Sequence, residues 1–149
     1  MLSGAQDRDA TRAVFFRAWR RHCAGEALEG AEALIVQVAL RHPEYQALLG
    51  DPERYRDADY TPETGRTNPF LHMGMHIAIE EQISIDAPRG MRELYAQLVR
   101  RVPDEHQAQH LMMECLGQML WRAARANVAP DDGFYIDCLK RLAGAPSTP

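Results

Sequence analysis

Apolar positions along the chain recur at steps of three and four, and no segment alternates with the period of two that a half-buried strand requires. Ala, Leu, Met, Glu, Gln and Arg dominate, which are residues that lose little on entering a helix. The pattern predicts a first helix over residues 9–24, capped by Asp7 or Asp9 and stopped by Gly25, with Val14, Phe15, Ala18, Trp19 and His22 on one stripe. A second helix is predicted from Gly30 to His42, where Pro43 forces its predecessor out of the α region, and a short one from Pro43 to Leu49, closed by Gly50. Asn68-Pro69 opens a helix over 69–84, Pro88-Arg89-Gly90 leads into one reaching Val102, and Pro103-Asp104 starts the longest, to Asn127. A last helix runs from Pro130-Asp131 to Ala143-Gly144.

These segments imply an all-α chain, a compact bundle of about five main helices plus one short helix. Residues 1–8 read as a disordered tail, 9–143 as a single helical domain and 144–149 as a second tail. Residues 50–68 are punctuated by Asp51-Pro52, Thr61-Pro62, Gly65 and Asn68-Pro69 and read as one long loop, a length that usually signals function or mobility. Asp57-Ala-Asp59 within it has the start of a calcium loop, but the glycine and terminal glutamate of such a loop are missing.

Composition narrows the class. A net charge of −4 with 46% hydrophobic and 26% charged residues over 149 positions is the balance of a globular domain. The mild acidity leaves no footprint for nucleic acid, and no apolar run is long enough to span a membrane. The polar start from Met1 to Asp9 lacks an apolar signal region. Three cysteines, Cys23, Cys115 and Cys138, form no CxxC pair, and their odd number fits a reducing cytoplasm better than a disulfide framework. The expectation is a cytoplasmic protein without membrane or nucleic-acid partners.

Histidine changes the picture. Four of six stand in two copies of one spacing: His72, His76 and Glu80 on the 69–84 helix, and His106, His110 and Glu114 on the longest. Steps of four advance about 40° around a helix, so each triad is a slowly drifting stripe. Ile79 and Ile83 fall about 20° either side of His72 on the wheel, which puts both histidines in the apolar sector and Glu80 near its edge. Met113, Leu120 and Trp121 flank the second triad. Three consecutive helices joined by short turns alternate in direction, so the first and third of this region should run parallel and bring the triads level. Four imidazoles with two carboxylates suit a divalent transition metal: zinc, iron, manganese or nickel. The triads span about 12 Å, so a single ion cannot take all six residues, and Glu80 and Glu114 become ligands, orienting partners or a general base.

Other readings stand beside this one. The triads also suit buried His–Glu hydrogen-bond pairs in a non-catalytic, structural or interaction module, homodimeric in one version. The helix N-termini at Asn68 and Asp104 suggest a small-molecule or anion site. Glu32, His42 and Glu44 are further candidates for the site, although salt bridging for Glu32 and capping for His42 are simpler roles. Arg17, Arg20 and Arg21 read first as a solvated charge run. Trp121 and Met113 read as core. Whether the chain is an enzyme, by metal-assisted hydrolysis or a non-haem redox step, is not set by these residues.

His42-Pro-Glu-Tyr45, Asp59-Tyr-Thr-Pro-Glu63, Thr67-Asn-Pro-Phe-Leu-His72 with His76, and Met113-Glu-Cys-Leu-Gly117 with Leu120-Trp121 resemble the bacterial family known as domain of unknown function 1841. The resemblance covers about residues 10–143. It implies a compact helical protein of proteobacterial type and brings no activity with it. A looser likeness is to hemerythrin, whose bundle binds two irons through HxxxE and HxxxH helices. His76-x3-Glu80 and His106-x3-His110 match those two elements, but no histidine follows His110, so the ligands of a final helix are absent. The ExxH pairing of ferritin-like proteins is missing as well.

Overall fold

The computed structural model describes residues 4–58, 60 and 68–144, with residues 4–9 described in their backbone alone. Among these the chain is all-α: eight helices and no strand. It forms two compact units, Met1–Ile77 and Ala78–Pro149.

The first unit holds α1 (Gly4–Cys23), α2 (Gly30–Leu40), α3 (Pro43–Leu49), α4 (Pro52–Tyr55) and the first half of α5 (Pro69–Ile85). α1 begins five residues before the expected start, and Gly25, with φ +77°, lies just past its end. α2, α3 and α5 follow the expected boundaries closely, because each start carries a proline or a glycine that fixes where the backbone can turn. α4 was not foreseen. Asp51 accepts a hydrogen bond from the Arg54 amide and Pro52 occupies the first turn, which is enough for one turn of helix inside the expected loop. The remainder of that loop, at residue 59 and at 61–67, and the tail after 144 lie outside the described residues.

Phe15, Phe16 and Ala18 of α1 close on Ile35, Val36, Val38 and Ala39 of α2, with Leu48 and Leu49 of α3 and Phe70 and Met73 of α5 completing this core. The Phe70 ring meets Phe15 and Phe16 edge-on at 5.8 and 5.7 Å, the arrangement the ring quadrupole favours. Arg12 is 3% exposed within the same layer. Its Nη1 donates to the carbonyls of Arg56 at 3.0 Å and Ala58 at 2.8 Å, and its guanidinium lies over the Phe70 ring at 4.7 Å. One buried cation therefore ties α1 to the turn after α4.

The second unit holds the rest of α5 with α6 (Met91–Arg101), α7 (Glu105–Ala126) and α8 (Asp132–Ala143). Asp104 and Asp131 cap α7 and α8, each accepting from the amide three residues on, as the sequence suggested. Asn127 and Gly144 end those helices in left-handed conformation. Leu94 and Leu98 of α6, Met112, Leu116 and Met119 of α7, and Tyr135 and Leu139 of α8 are buried. Tyr135 is fully buried and its hydroxyl donates to Gln82 Oε1 at 2.7 Å.

Cys115 and Cys138 form a disulfide between α7 and α8, with Cα atoms 5.7 Å apart, leaving Cys23 as the exposed free thiol. This corrects the expectation drawn from the odd cysteine count. Packing of α7 on α8 brings together two residues 23 positions apart, a proximity that spacing alone does not encode. Trp121, 60% exposed, and Leu120 are likewise on the surface rather than in the core. No helix among the described residues is long and apolar enough to cross a membrane.

Candidate metal centre

Asn68 positions the histidines of α5 in the first unit. Its Oδ1 accepts from the amides of Phe70 and Leu71, so α5 starts at a defined residue and carries His72 and His76 one turn apart. His76 is buried at 2% exposure, and its Nε2 lies 3.2 Å from His72 Nε2, one ring donating to the other. His42 comes from the break between α2 and α3. It continues the stripe of Ile35, Val38 and Ala39, seven, four and three residues earlier, and is buried at 3% exposure. Its Nδ1 lies 2.9 Å from the Val38 carbonyl. A carbonyl only accepts, so Nδ1 carries the proton and the ring's lone pair sits on Nε2.

The three rings pack as a cluster within the first unit. Centroids of His42 and His76 are 4.8 Å apart, those of His72 and His76 4.8 Å, and those of His42 and His72 5.4 Å. Tyr45 stacks on His42 at 5.3 Å. Burial, with the Glu44 carboxylate beside it, holds the Tyr45 phenol above its ordinary pKa, so this ring stays neutral against the imidazoles.

The second unit carries the other pair. Asp104 caps α7, and His106 and His110 follow one turn apart, half-buried, with ring centroids at 4.2 Å. Glu80 accepts a hydrogen bond from the amide of buried Gln109 at 2.8 Å, which aims its carboxylate.

Each unit therefore presents two imidazoles able to share an ion: the ring nitrogens of His42 and His76 lie within 4.8 Å of each other, and so do those of His106 and His110. Of the six residues singled out from spacing, His76, His106 and His110 stand in these pairs. His72 is engaged with His76, Glu80 with Gln109, and Glu114 is exposed. Glu114 follows His106 by eight residues, about 80° around the helix, while the buried face of α7 runs through Met112, Cys115, Leu116 and Met119. The drift of a four-residue step carries the carboxylate off the face that its histidines share. Glu44 is exposed, and Glu32 is taken by Arg21 at 3.0 Å and Arg17 at 3.6 Å.

His42 stands at the N-cap of α3 but makes no side-chain capping bond, and its place on the stripe of α2 is the sequence signal for its burial. Arg12 has its own signal in the sequence. It precedes Phe15 and Phe16 by three and four residues and so shares their buried face.

No curated protein and no solved structure matches the chain. The family model described as domain of unknown function (DUF1841) matches residues 7–141, and the chain belongs to that family.

Proposed function

We propose that the chain binds divalent transition metal ions at its histidine pairs, His42 with His76 in the first unit and His106 with His110 in the second, with zinc, iron, manganese and nickel as the candidate ions. The observation that carries this reading is the bond from His42 Nδ1 to the Val38 carbonyl. Metal-bound histidines almost always donate their other ring N–H in this way, which fixes the tautomer and raises the basicity of the ligating nitrogen. Buried His76, with a ring nitrogen within 4.8 Å of one on His42, supplies a second donor in that unit, and His106 and His110 are the corresponding pair in the other. An ion held by two imidazoles would keep positions open for further donors or water. For an ion at the second pair, Glu80, held by Gln109 of the same unit, is the carboxylate that would serve as general base to bound water.

Elemental analysis of protein purified without a histidine tag tests the reading. Stoichiometric metal in the native chain, lost in a His76→Ala, His110→Ala double variant, is the expected result. Unchanged metal content in that variant overturns it.

One observation favours a second reading. The His72 and His76 rings satisfy each other at 3.2 Å, as histidines do in a structural cluster that binds no ion. On that reading the chain is a non-catalytic module, and exposed Leu120 and Trp121 are where two copies meet. It requires a thermal midpoint indifferent to chelator and a sedimentation coefficient that rises with concentration and falls back in Trp121→Ser.

A further inference from the structure

Away from the histidines, the first unit carries a cleft of about 590 Å³. That volume lies within the range of small-molecule sites. Phe16, Trp19 and Leu49 form its apolar wall, and Arg17, Arg20 and Arg56 stand around it. No acidic side chain lines it among the described residues.

The arginines near it divide by their partners. Arg21, outside the cleft, pairs with Glu32 at 3.0 Å and Glu26 at 3.5 Å. Arg17 shares the Glu32 carboxylate at 3.6 Å. Among the described residues, Arg20 and Arg56 make no ion pair. Arg56 is also held in place, since its carbonyl accepts from buried Arg12 at 3.0 Å. Two planar cations beside an aromatic wall match one kind of guest: guanidinium forks bind carboxylate or phosphate oxygens in pairs, and the indole and phenyl faces cover an apolar body.

We propose that this cleft binds an amphipathic organic anion, its carboxylate or phosphate head between Arg20 and Arg56 and its apolar body against Phe16, Trp19 and Leu49. Part of what sequence spacing assigned to a solvated charge run is, in this geometry, an anion receptor. The proposal is independent of metal binding.

Isothermal titration of the full chain with 2-naphthoate, 2-naphthyl phosphate and neutral 2-naphthol tests it, the first two separating a carboxylate guest from a phosphate one. Saturable one-to-one binding of at least one anion is expected, with 2-naphthol at least tenfold weaker. An Arg20→Ala, Arg56→Ala variant should lose at least tenfold in affinity, while Arg100→Ala, on exposed α6 surface, changes it less than twofold. Cys23 lies on the cleft and is exposed, so a bound guest should slow its alkylation by neutral iodoacetamide in the native chain. Equal affinity for 2-naphthol, retention of affinity within twofold in the double arginine variant, or unprotected Cys23 at saturation each overturns the proposal.

Discussion

The Nδ1 of His42 donates to the Val38 carbonyl across 2.9 Å, one helical turn back along α2. On the proposed metal-binding reading, the bond fixes the tautomer whose Nε2 lone pair an ion would take, in a ring that is 3% exposed. His42→Ala should therefore lower metal affinity at least as much as loss of an orienting partner does, about 10- to 100-fold. Glu114→Ala, on the exposed side of α7, should leave it within twofold. Competition with a chromogenic chelator measures both, and equal losses in the two variants would refute the donor set.

Linking Cys115 to Cys138 closes a loop between residues 23 positions apart, for which chain entropy gives about 3 kcal/mol of stabilisation. A Cys115→Ser, Cys138→Ser variant should melt lower by several degrees, at about 2–4 °C per kcal/mol for a chain of this size. Reductant should bring the native protein to the same midpoint, and Cys23→Ser should not move it. Calorimetric scans with and without reductant check all three expectations.

Tyr135 presents a different kind of buried group. Burial pushes its phenol well above the ordinary value of 10.0, because the phenolate would be stranded away from water. The folded state thus holds the proton more tightly than the unfolded one. This contribution to stability is fully present below pH 10 and falls as pH rises beyond it. Chemical denaturation at pH 8 and at pH 10.5 should show that loss in the native chain and a smaller one in Tyr135→Phe. At pH 8 the variant should be weaker by about 1 kcal/mol, the usual worth of its hydrogen bond to Gln82.

Arg12 sits between the rings and the carbonyls of the first unit, so substitution removes stacking and hydrogen bonds together. Arg12→Met should cost about 2–4 kcal/mol, and Arg12→Lys should recover little of it, since a compact ammonium cannot reproduce the planar fork. Limited proteolysis should then cut near Arg56 at a rate that thermal scans show to be out of proportion to global stability. Cleavage that merely tracks the melting temperature would argue against a local tie.

Helix identity was legible in the sequence because its determinants are local. Asn68, Asp104 and Asp131 each cap within three residues, Pro43 and Pro69 start turns by their own ring geometry, and Gly144 ends α8 by adopting a conformation that side chains disfavour. Spacing also put His76, His106 and His110 forward correctly as buried or half-buried rings, because burial on a helix follows a fixed period. α4 escaped notice, since one capped turn has no periodicity to read.

Contacts between elements were another matter. That Cys115 meets Cys138, that the Arg12 guanidinium reaches the carbonyls after α4, that Gln109 claims Glu80, and that Arg20 and Arg56 border one cleft while Arg21 turns to Glu32 all depend on which helix faces pack. Several packings satisfy the same hydrophobic stripes, and the choice among them is made by side-chain fit across long sequence separations. The sequence by itself determined where the helices are and which of their faces are apolar. The tertiary structure decided which polar groups on those faces become partners, and with that which residues are left to bind something else.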